Sequence, residues 1–139
     1  MSATEIIVSE WPAPRGYANG RFGDGRLVHV GGQIGWNADG VLASASTPHE
    51  TFVAQFGQAL DNVIAVVRAA GGSPTDLASM TVFVTDMAAY RATRKELAAI
   101  WKLRLGKHFP AMALVAVTAL FEPDAVVEIQ AIAHLGVTP

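Results

Sequence analysis

The front third of the chain alternates short apolar runs with turn-forming residues. A β-branched run covers Glu5 to Ser9, and a second strand-like run, Arg26 to Ile34, follows the glycine-rich segment Gly20 to Gly25. A further turn at Asn37 to Gly40 allows Val41 to Ala43 to pair back across it. The pattern therefore predicts an antiparallel meander of three strands.

The next segment carries the signals of a long helix. Thr47, Pro48 and Glu50 have the order of a capping residue, a first-turn proline and a capping-box carboxylate. Gly71 and Gly72 supply a left-handed stop. Between these ends, apolar residues recur at three- and four-residue steps: Phe52, Val53, Phe56, Leu60, Val63, Ile64 and Val67. We expect a helix that lays one face on a sheet.

The remaining pattern alternates strand, helix and strand. Thr81 to Thr85 predicts a strand, and Asp86 is placed to cap a second helix that ends at Gly106. Two closing strands are predicted over Met112 to Ala119 and Ala125 to Ala133. The order β-β-β-α-β-α-β-β is an α+β arrangement with two helices on one sheet face, so the other face must also be covered. No internal repeat or shift in composition divides the chain, and we expect a single domain over residues 1–139.

Composition adds an apolar surplus to this picture. Charged residues make up 16% of the chain against roughly 25% in an ordinary domain, whereas hydrophobic residues make up 51%. This is more apolar area than one small core needs, so we expect part of the surface to be buried against other subunits. The formal net charge of −2 supplies no basic field for phosphates, and we expect no nucleic-acid partner.

Several kinds of chemistry are excluded or disfavoured by the residues present. The chain has no cysteine, which excludes disulfides, thiolate nucleophiles and Cys-ligated zinc. None of its histidines pair at the i, i+4 spacing of a helical metal site, and we expect neither a metal nor a cofactor. The glycines between residues 20 and 25 fit neither a dinucleotide nor a phosphate loop. No apolar run reaches about 18 residues and no signal-peptide pattern begins the chain, so we expect a cytoplasmic protein without a membrane partner.

A set of short segments also points to a known family. The segments are Gly16 to Gly20, Gly32 to Ile34, Leu60 to Val63, Ala69 to Gly71, Thr81 to Asp86, Phe109 to Ala111 and Glu128 to Ala133. In this order and spacing, over about residues 16–133, they resemble the Rid family of reactive-intermediate deaminases, also called YjgF or endoribonuclease L-PSP proteins. The resemblance implies a chorismate-mutase-like fold with a mixed sheet. It also implies a homotrimeric barrel with helices outside and small-molecule pockets in the clefts between subunits.

The chain departs from this family at the positions that carry its chemistry. In imine-hydrolysing members an arginine grips the substrate carboxylate, and the matching residue here is Met112. A glutamate thought to position the attacking water is replaced by Gln130, a pocket serine by Gly31, and an asparagine by Ala88. Of the usual polar side chains only Tyr17 remains, as a candidate donor of a proton or hydrogen bond. Tyr17 and Gln130 are therefore the catalytic candidates.

Strand periodicity describes the wall of the expected cleft. Met112 and Leu114 share one face of their strand, and Glu128 and Gln130 share one face of theirs. The resemblance places the first pair on the cleft side, with the backbone N–H near Leu114, so we expect a largely apolar cleft. Two interpretations remain open: Met112 and Leu114 line a ligand pocket, or they only pack the trimer interface. As pocket residues they favour compact neutral ligands with a carbonyl or amide over keto acids.

Other polar residues near the cleft have competing interpretations. His108 lies at the expected cleft mouth and would titrate near neutrality there, but we interpret it first as a surface-loop histidine. Glu128 is a base if burial raises its pKa, and otherwise an interface residue. Gln33 is expected to be structural, and Trp11 and Trp36 are candidates for aromatic residues at the rim.

Three functions are compatible with these residues. The first is a deaminase or other hydrolase acting on an enamine, imine or related carbonyl compound that lacks the usual carboxylate grip; Tyr17, Gln130 and an ordered water would be its chemistry. The second is a non-catalytic trimer that binds a small molecule or a protein through the same clefts. The third is the ribonuclease or translation-inhibitor role of some relatives, which the net charge of −2 disfavours.

Overall fold

Four strands form the main sheet, and the helices pack against one of its faces. The computed structural model describes residues 3–136. In chain order its elements are β1 (Ala3–Glu5), β2 (Arg21–Gly23), β3 (Arg26–Ile34), α1 (Pro48–Ala69), β4 (Leu77–Val84), α2 (Met87–Ala92), α3 (Arg94–Leu105), β5 (Ala111–Ala116) and β6 (Val127–Leu135). The α+β class and the helices on one face are confirmed.

The main sheet is mixed, with the strand order β3-β6-β4-β5. β4 and β5 run parallel, whereas β6 pairs antiparallel with both β3 and β4. Because directly opposite residues point to the same side, the register divides the side chains between the two faces. Val82 lies opposite Ile129, and both are buried against the helices. Thr81 lies opposite Gln130, and both point to the face without helices.

Helix α1 begins and ends where the sequence predicts. The Thr47 hydroxyl accepts a hydrogen bond from the Glu50 backbone N–H at 3.1 Å, which satisfies one free donor of the first turn. After the helix, Gly71 takes a φ of 93°, a conformation that side chains with a Cβ rarely adopt. The inward face buries Phe52, Leu60 and other predicted apolar residues against the sheet. Local capping and periodicity are enough to define this element.

The predicted second helix is two helices, so the expected number of helices is wrong. Asp86 caps α2 as predicted, accepting from the Ala89 N–H at 3.1 Å, and Gly106 follows the end of α3. Between them, Thr93 leaves helical geometry with φ −113° and ψ 16°. Its buried hydroxyl donates to the Ala89 carbonyl oxygen at 2.8 Å, and this side-chain bond competes with the backbone ladder. The chain restarts as α3 at Arg94.

The first strands also differ from the predicted meander. The strand expected over Glu5 to Ser9 is shifted to β1, which pairs antiparallel with β2 inside the segment predicted to be only a turn. Arg21 of β2 holds this ribbon in place, because its Nη1 donates to the Ala3 carbonyl and its Nε to the Phe109 carbonyl, both at 2.9 Å. Val41 to Ala43 forms no strand and contributes one bridge between Trp36 and Leu42.

One face of the sheet has no helix over it. Leu27 is 52% exposed and Val115 is 39% exposed there, beside the partly buried Phe83 and Ile132. An apolar sheet face of this kind requires a further layer. Among residues 3–136, no helix has the length and apolar character needed to cross a membrane.

Candidate functional site

A cavity of about 460 Å³ lies between helix α3 and the strands β4 and β5. Its position follows from the β4–β5 register, which sets Leu114 opposite Val82 and Met112 opposite Met80, all directed toward the helices. Alternation with period two thus turns Met112 and Leu114 to the same side. The apolar floor consists of Phe56, Val82, Leu97, Trp101, Phe109, Met112 and Leu114.

Two stacked aromatic rings form a fixed wall of this cavity. The Trp101 and Phe109 ring centroids are 5.6 Å apart, with an interplanar angle of 7°. The Trp101 indole N–H also donates to the His108 carbonyl oxygen at 3.0 Å, so its polar atom is satisfied while its ring faces the cavity. This wall can contact an apolar or aromatic ligand without first losing side-chain freedom.

Tyr90 brings a phenol to the same cavity. Its ring packs edge-on against Phe52 at a centroid distance of 6.2 Å. Burial raises the pKa of the Tyr90 phenol, and the positive charge of Arg94 opposes that rise. The hydroxyl therefore keeps its proton at neutral pH and can donate a hydrogen bond to a ligand.

The rim of the cavity is cationic, which the expectation of a largely apolar cleft did not include. Four basic side chains line it: Arg15, Arg94, Lys102 and Lys107. Arg15 reaches the rim because the following loop is tied to β5, where the Ala18 N–H donates to the Pro110 carbonyl at 2.9 Å. Among the described residues that line the cavity, none carries a carboxylate. The site therefore combines an apolar floor with positively charged side chains at its rim.

The predicted pocket residues do not all meet on one surface of the chain. Met112 and Leu114 line the cavity on the helix side. Glu128 and Gln130 lie on the opposite sheet face, because they are opposite Phe83 and Thr81 of β4 in the register. A single subunit therefore cannot use both pairs as one wall, and a cleft that contains both pairs would have to lie between subunits.

The other predicted pocket positions lie outside the cavity. Tyr17 is exposed on the loop next to Gly16, which is a lining residue. Gly31 is exposed on β3, and a Cβ there would meet nothing within 4 Å. The neighbouring Gly32 gives room to the Glu128 carboxylate, since a Cβ at Gly32 would lie 2.0 Å from Glu128 Oε1.

His108 is not a surface-loop histidine, and that interpretation is wrong. Only 8% of it is exposed, and its Nε2–H donates to the Leu77 carbonyl oxygen at 2.7 Å. Burial lowers the pKa of His108; the hydrogen bond to Leu77 partly offsets this, and the charge of Arg21 adds to the lowering. Its role is to join the end of α3 to β4 rather than to meet a ligand at the cavity.

Sequence reasoning missed the cationic rim and Tyr90. A signal was present: Tyr90, Arg94, Leu97, Ala98 and Trp101 follow helical three- and four-residue steps and all line the cavity. Such a pattern equally predicts a helix face that packs in a core, so the pattern alone does not reveal a cavity. In the part of the chain that the structure describes, no three His, Cys, Asp or Glu side chains are placed to hold a metal ion.

Comparison with known proteins gives consistent matches over most of the chain. The family described as Endoribonuclease L-PSP matches residues 10–135. A RutC family protein from Haemophilus influenzae is 37% identical over 109 residues, which are 78% of this chain and 79% of that protein.

Solved structures with the same fold were also found. A Yersinia pestis protein of unknown function from the Rid family, YyfB, has a TM-score of 0.83 and 29% identity, and the match covers 97% of this chain and 100% of that one. E. coli TdcF, solved with bound serine, has a TM-score of 0.68 and 27% identity, over 96% of this chain and 99% of that one.

Proposed function

Because the chain belongs to the endoribonuclease L-PSP family, also called the Rid or YjgF family, we propose that it binds a small organic molecule in the cavity between α3 and β5. The observation that carries the proposal is the cavity itself. Its volume of about 460 Å³ lies within the range of roughly 300–1,000 Å³ typical of ligand sites. Apolar walls with a few converging donors, here Tyr90 and the rim cations, are also typical of such sites.

The proposal includes a homotrimer in which a neighbouring subunit contributes to each site. Support comes from the charged fraction of 16% and from the exposed apolar residues Leu27 and Val115 on the sheet face without helices. In this assembly, Glu128 and Gln130 reach a ligand from a subunit other than the one that supplies Met112, because within one chain they lie on the opposite sheet face. The loop of Tyr17 stays with the chain that supplies Met112, since Gly16 lines the same cavity. The predicted pocket residues would then come together only across an interface.

A second candidate function is hydrolysis of an imine or enamine at the same site. The observation that favours it is that Tyr90, whose phenol keeps its proton at neutral pH, lines the cavity beside an apolar floor. In that reaction the oxygen of water bonds to the imine carbon and Tyr90 donates a proton to the nitrogen. The phenolate recovers a proton from the added water, which leaves a carbinolamine. The hydroxyl proton of the carbinolamine then moves to its nitrogen as the carbon–nitrogen bond breaks, and a carbonyl compound and ammonia leave. The serine bound to TdcF is a small amino compound of suitable size for such a site.

Binding is tested most directly at Met112, which lies on the cavity floor. The chain has four methionines, so methyl-labelled methionine gives four resolvable signals in an NMR spectrum. A panel of small carbonyl compounds, amides, carboxylates and amino acids should contain ligands that shift the Met112 signal. The buried Met80 methyl, which does not line the cavity, is the internal control. A panel without any effect on Met112 would remove the proposed binding function.

Hydrolysis is tested separately by following ammonia release from imines formed in situ, with Tyr90→Phe as the matched variant. This change keeps the ring that packs against Phe52 and removes only the hydroxyl. The second candidate requires turnover by the unmodified protein and a fall in kcat in Tyr90→Phe that is larger than the accompanying loss of ligand affinity. Binding without turnover leaves the protein as a binding module.

A further inference from the structure

The charges around the cavity are all of one sign. Arg15, Arg94, Lys102 and Lys107 line it without any lining carboxylate. Within residues 3–136, the ion pair that forms on α3 joins Arg104 to Asp61, and none of the four rim cations is paired with a carboxylate. Positive charge that the protein does not neutralise favours an anionic ligand by raising its local concentration and its affinity.

Arg94 is the rim cation best placed to contact such a ligand. It begins α3 just after the break at Thr93, Tyr90 lies on α2 just before that break, and both residues line the cavity. Its charge acts on the Tyr90 hydroxyl, so the two polar groups share one region of the site. A guanidinium offers a fork of donors that matches the two oxygens of a carboxylate, and a protonated phenol adds another donor.

The apolar floor of the cavity indicates the chemistry of the rest of the ligand, beyond its anionic end. Trp101, Phe109, Met112 and Leu114 provide apolar contact area and no charged group. The cavity of about 460 Å³ has room for a ring, since an apolar cavity of about 150 Å³ already binds benzene. Such a floor favours a ligand with one anionic end and an apolar body over a polyanion that is polar throughout.

We propose that the ligand class is an apolar monocarboxylate, with the carboxylate bound by Arg94 at the rim and the body packed against Trp101 and Met112. This inference rests on the proposed binding function and names the ligand for the same site. It revises the expectation of neutral ligands, which considered only the strand residues Met112 and Leu114. Arg94 is thereby assigned as the residue that determines specificity for an anion.

Benzoate and benzamide test this assignment, because they have nearly the same shape and differ in charge. Binding to the full chain is measured by calorimetry, and the Met112 methyl signal confirms the location. We expect benzoate to bind at least about tenfold more tightly than benzamide to the unmodified protein, as a charge-assisted hydrogen bond does over a neutral one. Raising the salt concentration should weaken benzoate binding and leave benzamide binding unchanged.

Three variants distinguish a direct contact of Arg94 with the ligand from an effect of the protein's overall charge. Arg94→Ala should weaken benzoate binding by about ten- to hundredfold and change benzamide binding by less than about twofold. Lys95→Ala removes the same charge from the next position of α3, which does not line the cavity, and should leave both affinities within about twofold. Arg94→Lys should restore part of the benzoate affinity, because an ammonium keeps the charge and lacks the fork.

The remaining outcomes overturn either the assignment of an anionic ligand or the proposed binding function itself. Benzamide binding as tightly as benzoate, or equal losses for the two ligands in Arg94→Ala, would overturn the anion assignment and leave the proposed binding function standing. Equal losses in Lys95→Ala and Arg94→Ala would also overturn it, since the effect would then be one of overall charge. Failure of benzoate, benzamide and the whole panel to shift the Met112 signal would remove the proposed binding function and this inference with it.

Discussion

Met112 occupies the position at which the family resemblance leads one to expect an arginine, and its surroundings explain why the change matters. Its side chain faces Trp101 and Leu114 inside the cavity, where a thioether adds adaptable apolar contact and no charge. Gln130, the other replaced group, lies on the opposite sheet face, opposite Thr81. Because the two positions lie on opposite faces, a substitution at one of them would not bring the expected arginine and glutamate together within one subunit.

We predict that hydrolysis of 2-iminopropionate, generated in situ, is absent or feeble. An arginine at position 112 would lie on the cavity floor, whereas Arg94 lies at the rim and would hold a carboxylate at a different place. Loss of the desolvated cation at position 112 costs about 2–5 kcal/mol, and a short substrate gains little from the apolar floor. Met112→Arg alone should not produce activity, because Gln130 still lacks a carboxylate. Ammonia release, with and without protein, measures the reaction. Turnover well above the uncatalysed rate in the unmodified protein would contradict the importance given to Met112 and Gln130.

His108 is a residue whose burial has a measurable consequence for stability. Folding lowers the pKa of His108, chiefly through burial, so the unfolded chain binds the proton more tightly than the folded one. Its contribution to stability is therefore complete above the unfolded-state pKa of about 6.5 and is lost as the pH falls below that value. The direction is opposite to that of a histidine that gains a carboxylate partner.

We predict that lowering the pH from 7.5 to 5.5 destabilises the unmodified protein more than His108→Gln. The difference in slope should approach, and not exceed, about 1.4 kcal/mol per pH unit, the value for one proton. Glutamine can still donate to the Leu77 carbonyl, so the variant keeps the hydrogen bond while losing the titration. Urea unfolding at several pH values above 5 provides the measurement. Parallel pH profiles for the two proteins would refute the role of burial at His108.

At the scale of elements, Gln55 connects helix α1 to two loops. Its Nε2 donates to the carbonyl oxygens of Ala43 and Asp124, each at 3.1 Å, and its Oε1 accepts from the Val126 N–H at 2.9 Å. The side chain is only 1% exposed. Three backbone groups from two separate loops thus depend on a single amide that is shielded from water.

We predict that Gln55→Leu is strongly destabilising, at about 1–3 kcal/mol for each buried group that stays without a partner. The matched control is Gln58→Leu on the same helix, where the amide bonds only to the neighbouring Asn62 side chain, and it should cost less than about 1 kcal/mol. Urea unfolding measures both, and amide hydrogen exchange at Val126 reports the loss locally. Equal stability of the two variants would show that Gln55 is not the connection described.

The elements also show what the sequence can predict and why. Helix α1 was predicted at both ends, because the Thr47 cap and Gly71 act within a few residues of the chain. The ribbon of β1 and β2 was missed, because its strands are about fifteen residues apart and β2 lies inside the glycine-rich segment Gly20 to Gly25. The break at Thr93 was missed as well, since a helical apolar pattern continues across it and only the hydroxyl bond to Ala89 ends α2.

In the candidate site, too, the local features were predicted and the features that depend on long-range contacts were not. Period-two alternation correctly placed Met112 and Leu114 on one face. It could not fix the face of Gln130 relative to them, because that depends on the register of β6 against β4. The rim was missed for a related reason: Arg15 and Arg94 lie far apart in sequence and meet only when the N-terminal loop docks beside β5.

At the scale of the whole molecule, a single chain leaves the sheet face without helices uncovered, although that face carries apolar side chains. Val115 is 39% exposed on β5, an edge strand of the main sheet, and it lies opposite Phe83 of β4. Edge strands and apolar sheet faces favour association unless charges prevent it, and the charged fraction of this chain is low. The proposed trimer would cover this face.

We predict that light scattering after size exclusion gives a mass of three times 14.6 kDa for the unmodified protein. Val115→Glu should shift the protein toward monomers at micromolar concentration, because a charge buried at the centre of an apolar interface loses its hydration without gaining a partner. Leu103→Glu is the matched control: Leu103 is 83% exposed on α3, away from the uncovered face, and this variant should remain trimeric. A monomeric unmodified protein would refute the trimer, and with it the contribution of Glu128 and Gln130 from a neighbouring subunit. A trimer that persists in Val115→Glu would instead move the interface to another surface, and the cavity between α3 and β5 would then have to bind its ligand within one chain.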